Sequence, residues 1–293
     1  MASQAVPAPK PSRKINTQFV AYLLIAPPLV LMGLLIFLPA IQSIGHTLFT
    51  QTDNLSTFTI ARYIDFFKDP VSLSNLLFTF RITLLVVGFL FLVCFPLSVY
   101  LRFSHSRIAG WVQVLALFPL FVPGIILAYA LIQFLGTHGT LDTVLRTFGL
   151  TGYKTPYLKP EGIVIGLVWE GIPFTTLILT AGLRQVDDSL IESARDVGAN
   201  NWQVFRHIIL PLLQRPALIV LSLNFLGVFG AYTIPYLLGP AAPQMMGPYM
   251  QRTFIEVQDI AKAETQAVMT FLVCSLVGVL YIRAVTSQRT ERD

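Results

Sequence analysis

Charge is scarce in this chain. Only 12% of its 293 residues are Asp, Glu, Lys or Arg, against about 25% in a soluble globular protein. That argues against an ordinary cytosolic enzyme. Cysteine is scarcer: Cys94 and Cys274 lie inside apolar runs, form neither a C-x-x-C nor a zinc pattern, and read as small packing residues. His46, His105, His138 and His207 are scattered without ligand spacing, so this chain alone has no sequence pattern for a metal site. No G-x-x-x-x-G-K-[ST] stretch occurs, so the usual cradle for ATP phosphates is missing. No basic stripe with interleaved aromatics points to nucleic acid. No segment between the apolar runs has the roughly 50 residues of a comfortable soluble domain.

Apolar residues are abundant: they make up 54% of the chain, and the mean hydropathy is +0.68. Segments 15–52, 82–101, 108–141, 216–251 and 265–282 contain no charged residue, and 162–183 contains one, Glu170. Each is long enough for a bilayer-crossing helix of ~20 residues. The expected fold is an all-α membrane protein of six transmembrane helices, at about 19–42, 82–101, 109–135, 162–182, 214–238 and 262–283. Its organisation is a tail (1–18), a six-span domain (19–284) with a polar loop at 184–213, and a tail (285–293).

Lys10, Arg13 and Lys14 precede the first apolar run, as in a secretory signal. The run 19–41 has 23 residues, more than the 7–15 of a signal core, and reads as a retained span. Pro7, Pro9 and Pro11 make 1–18 a poor helix. Six spans put both termini on one side. With the termini inside, the inside segments 1–18, 102–107, 184–215 and 283–293 hold 12 of the 20 basic and 6 of the 15 acidic residues. The positive-inside rule therefore places both termini in the cytoplasm.

Pro27, Pro28 and Pro39 predict a bent or interrupted first span, tolerable where neighbours satisfy the freed carbonyls. In the outside segment 46–80, Tyr63, Phe66 and Phe67 with Asp65, Lys68 and Asp69 predict a short helix at the interface. Segments 136–161 and 239–258, rich in Gly and Pro, read as outside loops.

The inside loop between spans four and five is the most informative segment. Ser189 and Glu192 have the spacing of a capping box, with Asp187 and Asp188 adding favourable charge at the helix start. Leu190, Ile191, Ala194 and Val197 share one face. Gly198 is placed to end the helix in the left-handed conformation. Asn200 and Asn201 restart it. The reading is an elbow of two short helices. Trp202 and Phe205, three residues apart, either pack back on the chain's own bundle or dock on a soluble protein.

This loop resembles the EAA signature of the membrane subunits of binding-protein-dependent ABC importers: Glu-Ala-Ala, three residues, Gly, nine residues, Ile, any residue, Leu-Pro. Here it reads Glu192-Ser193-Ala194, then Gly198, Ile208, Leu210 and Pro211. Spacing matches throughout, with Ser193 in place of the middle Ala. The resemblance implies a type I ABC importer permease fold, with 187–211 as the coupling helix loop. It implies that Glu192, Ser193, Ala194 and Gly198 shape the elbow, that 199–205, including Ala199, Trp202 and Phe205, touches an ATPase, and that Ile208, Leu210 and Pro211 complete the motif. It further implies a bacterial inner-membrane location and a set of partners. These are a second homologous permease chain, two ABC ATPase subunits that bind the ATP, and an extracytoplasmic solute-binding protein. The chain itself would carry no cofactor and perform no catalysis.

Shorter stretches resemble the spermidine/putrescine-type permeases. Residues Phe95 to Tyr100 are similar to their Tyr-Pro-x-Ala-Tyr, with Phe95 and Val99 departing; Leu135-Gly136-Thr137-His138-Gly139 is similar to their Leu-Gly-x-x-Gly; Gly230 to Gly239 resembles their segment closing span five. Ferric ion, aminoethylphosphonate and opine importers carry similar motifs, so a polyamine or another small organic cation is expected beside those alternatives. Glu170, beside Trp169 in span four, either greets an ammonium group or is a hydrogen-bonded packing carboxyl. Tyr232, Thr233 and Tyr236 either line the same path or bond neighbouring helices. An ion-driven carrier with Glu170 as proton site would need no ATPase, and nothing in its mechanism requires the loop. A membrane-embedded enzyme lacks a recognisable acid–base or nucleophile pattern.

Overall fold

The computed structural model describes residues 17–52, 55–104, 106–150 and 152–286. Residues 1–16 of the proposed N-terminal tail, with its prolines and basic residues, lie outside the described residues, as do His105 and 287–293 of the C-terminal tail. The chain divides into two units, one ending at Thr59 and one beginning at Ile60.

The first unit is helix α1 (Thr17–Met32), a π-turn (Gly33–Phe37) and helix α2 (Leu38–Leu48). The interruption expected from its prolines is the π-turn, where the Leu38 N–H reaches back five residues to the Gly33 carbonyl. A proline in an ordinary helix clashes with the carbonyl four residues earlier and cannot bond to it. For Pro39 that carbonyl belongs to Leu35, inside the widened turn. Beyond α2 comes an antiparallel hairpin of β1 (Phe49–Thr52) and β2 (Leu55–Phe58). Phe49 pairs with Phe58, their rings edge-to-face at 5.9 Å. This two-stranded hairpin is a small addition to the helical architecture expected from the sequence. Its Thr and Phe content favours strands, and a reading organised around spans does not weigh so short a polar run.

The second unit contains α3 (Ala61–Lys68), α4 (Pro70–Phe103), α5 (Arg107–Leu117), α6 (Gly124–Leu135), α7 (Thr140–Thr147) and α8 (Pro160–Leu183). It continues with α9 (Asp188–Asp196), α10 (Asn201–Val204), α11 (Leu210–Phe229), α12 (Thr233–Leu238), α13 (Met246–Ile255) and α14 (Ile260–Thr286). Six helical stretches among the described residues are long and apolar enough to cross a membrane. The short interfacial helix expected around Tyr63–Lys68 is α3.

Three boundaries differ from the sequence reading. Span two begins at Pro70, because Asp69 caps the helix through its bond from the Val71 N–H (3.1 Å) and Pro70 is preorganised at the first turn. The extra turns bury Ser72, Asn75 and Thr79. Asn75 accepts from the Gln244 N–H and Thr79 from the Met246 N–H, both at 2.8 Å, tying down the 239–246 loop. Span three is not one continuous helix: a 3-10 turn (Phe118–Phe121) and an extended Val122 separate α5 from α6. Pro119 and Pro123 lie in that break and cannot donate the helical bonds that would bridge it. Span five ends at Phe229; 230–232 leave the helix before α12 resumes at Thr233.

Two apolar clusters form the core of this unit. One joins α4, α6, α8, α11 and α12 through Ile82, Leu90, Leu127, Leu167, Leu179 and Ile234, among others. The other joins α3, α4, α11, α13 and α14 around Phe66, Phe225, Phe229 and Met269. Small residues allow the closest approaches. A Cβ at Gly182 would lie 2.4 Å from Pro216 Cγ, and one at Gly166 would lie 2.7 Å from Ile234 Cγ2. Buried polar groups add to this packing: Asn224 of α11 donates to the Thr175 hydroxyl of α8 at 2.9 Å.

Asp69 also joins α4 to α14. Its carboxylate accepts from Ser72 Oγ (2.7 Å) and from Lys262 Nζ (2.8 Å). Burial opposes ionisation, but the bonds from Lys262, Ser72 and Val71 outweigh it and hold the carboxyl at about 2. A carboxyl depressed below its unfolded value stabilises the fold above that value and loses its contribution as pH falls through the folded one. The solubilised protein is therefore expected to lose thermal stability between pH 3.8 and about 2. Asp69→Asn should show a smaller loss over that interval. An identical pH profile for both proteins would refute this role.

Candidate functional site

The polar loop after span four forms the elbow that its sequence predicts, with two changes. Helix α9 begins at Asp188, one residue before Ser189, and its N-cap Asp187 makes no side-chain cap. Ser189 is thus already inside the helix, and the Ser189–Glu192 capping box does not form. The box forms instead at Asn200, which accepts from the Gln203 N–H (2.9 Å) while Gln203 Oε1 accepts from the Asn200 N–H (2.8 Å). The second helix is also not short. From Asn201 it runs through a π-turn (Phe205–Ile209) into α11, an unbroken helical stretch of 29 residues ending at Phe229. The π-turn precedes Pro211 as the first unit's π-turn precedes Pro39: the Leu210 N–H reaches the Phe205 carbonyl, and His207, whose carbonyl a proline at 211 would strike in a regular helix, lies in the widened turn.

The signature spacing has a local cause. The Gly198 N–H bonds to the Arg195 carbonyl and the Ala199 N–H to the Ala194 carbonyl, both at 2.9 Å. Together with Gly198 at φ +90°, these are the two bonds and the left-handed residue of a Schellman motif. Space is not the constraint at Gly198, since a Cβ there would meet nothing within 4 Å; backbone conformation is. Ala194, Ala199, Phe205 and Ile208 pack on the core, and Ile191, Val204 and Ile209 are buried in it. Arg195 reaches across the bend to Asn201 Oδ1 at 3.3 Å. Glu192 and Ser193 face solvent.

The two aromatic residues differ in burial. Phe205 packs back on the bundle, edge-to-face with Phe95 of α4 at 6.0 Å. Trp202 stacks on Phe205 at 5.7 Å but remains 65% exposed. An apolar ring is therefore held in a fixed position and left uncovered. Leu210 is also exposed, and Pro211 stands in the first turn of α11.

The residues expected along a substrate path lie on α8, on α12 and at its N-cap. Trp169 packs against the core. Glu170 is exposed on this chain, and among the described residues its carboxylate has no hydrogen-bond partner. It continues the stripe Gly162–Gly166, which α12 covers through Leu238 and Ile234. Beyond that cover it meets Gly124, the first residue of α6, where a Cβ would stand 3.1 Å from Glu170 Oε1. The break in span three thus brings the backbone of Gly124 close to the mid-span Glu170 carboxyl. Tyr232 and Tyr236 stack at 5.3 Å and are both exposed; Thr233 is half-buried. They and Glu170 sit on adjoining elements without a direct bond or ring contact. Among the described residues no group of three His, Cys, Asp or Glu side chains gathers as metal ligands.

Sequence reasoning missed Arg102. Its guanidinium binds the carbonyls of Leu183 and Val186 and the carboxylate of Asp188. The only hint was its place in the short turn between spans two and three.

Comparisons with known proteins agree with this architecture. The chain is 27% identical over 257 residues to the spermidine/putrescine transport system permease protein PotB of Salmonella typhimurium (strain SL1344), covering 86% of this chain and 88% of that one. It is 24% identical to the sulfoquinovosyl glycerol transport system permease protein SmoG of Agrobacterium fabrum, covering 94% and 92%. Its fold superposes with a TM-score of 0.77 on a chain of a bacterial alginate ABC transporter solved with its alginate-bound periplasmic protein, at 17% identity, covering 92% and 94%. A family model matches residues 94–289, which include the elbow, Glu170 and the tyrosine pair. The chain belongs to the family of binding-protein-dependent transport system inner membrane components.

Proposed function

We propose that this ABC importer permease carries a polyamine, and that two ATPase subunits drive it, one of them docked on Trp202 and the elbow around it. The reading places the elbow and both termini in the cytoplasm and pairs the chain with a second permease of the same family. The observation that carries the coupling role is the exposed Trp202 ring, held in place by its stack on Phe205 and by Phe205's contact with α4. Fixed, exposed aromatics are the residues that dominate binding at protein interfaces.

The substrate reading is supported by the relative named for spermidine and putrescine and by Glu170. A charge at mid-bilayer costs about 2.5–3.5 kcal/mol on insertion scales and normally faces a bundle interior or water. An unpaired carboxylate beside a gap in span three, with stacked tyrosines on the next element, suits a mobile organic cation.

The first test is mild-detergent purification of the tagged chain, with mass spectrometry of what accompanies it. A Walker-motif ATPase and a second six-span chain in stoichiometric amounts are expected. Recovery of the chain without an ATPase, persisting under crosslinking, would refute the coupling role. For the substrate, Glu170→Gln should lower spermidine uptake about tenfold or more, the worth of one charge-assisted contact, while leaving the ATPase bound. Unchanged spermidine uptake would remove Glu170 from the path. Binding-protein titrations that select ferric ion, aminoethylphosphonate or an opine would replace the polyamine.

A further inference from the structure

We propose that Arg102 is the clasp that makes the elbow move as one body with spans two and four. The proposal rests on the coupling reading above and adds the residue through which it operates.

Arg102 is in the last turn of α4. Its Nε donates to the Leu183 carbonyl at 3.4 Å; its Nη2 donates to the Val186 carbonyl at 3.2 Å and to Asp188 Oδ1 at 2.7 Å. These acceptors belong to three successive pieces of chain. Leu183 is the last residue of α8, and its carbonyl also accepts from the Val186 N–H at 3.2 Å. Val186 is a buried linker residue. Asp188 opens α9. A single planar guanidinium therefore joins the end of span two, the end of span four and the start of the elbow. Its forked donors suit this task, whereas a lysine ammonium is a single point charge. The group also lies over the Phe103 ring, 5.1 Å from its centroid.

The magnitudes show where the restraint comes from. Asp188 is 67% exposed, and an ion pair so wet contributes little by itself, about 0.2–1 kcal/mol. The Arg102 side chain is only 18% exposed, so its carbonyl bonds are better shielded, and they fix the guanidinium before Asp188 joins it. Helix α9 touches the core through Ile191 and Ala194, three residues apart on one face of a short helix. The Asp188 bond adds a polar tether at its N-terminal end.

The test is a spin-label distance between Leu92→Cys on α4 and Asp196→Cys on α9, both exposed sites, in a Cys94→Ala, Cys274→Ala background. It is made in the assembled complex with and without ATP. The unmodified clasp should give one narrow distance that nucleotide leaves unchanged. Arg102→Met should broaden or shift that distance by about 2 Å or more when ATP is added, the scale of helix displacements in switching proteins. Asp188→Asn, which leaves α4 and α8 untouched, should do the same to a smaller extent, and it decides the matter if Arg102→Met does not assemble. A residue that merely stabilised the fold would alter the yield of complex and leave the nucleotide response flat. A distance unchanged by ATP in both variants overturns the clasp. Failure of the unsubstituted chain to bind an ATPase overturns the coupling reading instead.

Discussion

Gly198→Val should abolish uptake while the chain still inserts and accumulates in the membrane. At φ +90° any side chain is strained, by roughly 1–2 kcal/mol in the left-handed region and more for a β-branched one. Relaxing that strain breaks the bonds from Gly198 to Arg195 and from Ala199 to Ala194, and α9 no longer meets α10 at the same angle. Because a Cβ at this position would meet nothing within 4 Å, the damage stays in the bend. Gly198→Asn is the control, since asparagine visits the left-handed region far more readily, and it should retain most uptake. Equal activity of the valine and asparagine variants would show that the bend's geometry does not matter for transport.

Trp202→Glu should weaken binding of the ATPase by about 30-fold, the loss typical of a central interface tryptophan, without lowering the amount of chain in the membrane. The ring is mostly exposed, so the fold gains little from it, and the neighbouring Phe205 keeps its contact with Phe95. Trp202→Phe should keep much of the affinity because it preserves an apolar ring stacked on Phe205. The measurement is the ATPase recovered per mole of purified chain. Equal recovery with the glutamate variant would mean that the ATPase docks elsewhere.

What could be read from the sequence follows the range of the interaction responsible. The bend at Gly198 and the restart at Asn200 are local, set by residues within five positions of each other, and both were legible. The spans were legible because apolar length is a direct requirement of the bilayer. The capping box at Ser189 fails because α9 already starts at Asp188, whose carboxylate is held by Arg102 of another span. The roles of Trp202 and Phe205 could not be separated, because Phe95, which distinguishes them, lies on another span. Arg102 was invisible for the same reason: its acceptors are 81 to 86 residues away. The prolines of span three were plain in the sequence, but only the fold shows that they end the helix beside Glu170.

The unbroken stretch from Asn201 to Phe229 has a mechanical consequence. At 1.5 Å per residue, its 29 residues span about 43 Å, and the π-turn at Phe205–Ile209 and Pro216 are the places along it where it can bend. The helix stops at Gly230, just before the stacked Tyr232 and Tyr236. On the coupling reading proposed above, the tyrosine pair stands at one end of a helix whose other end carries the exposed tryptophan, so a tilt imposed at the elbow would displace the tyrosine end sideways.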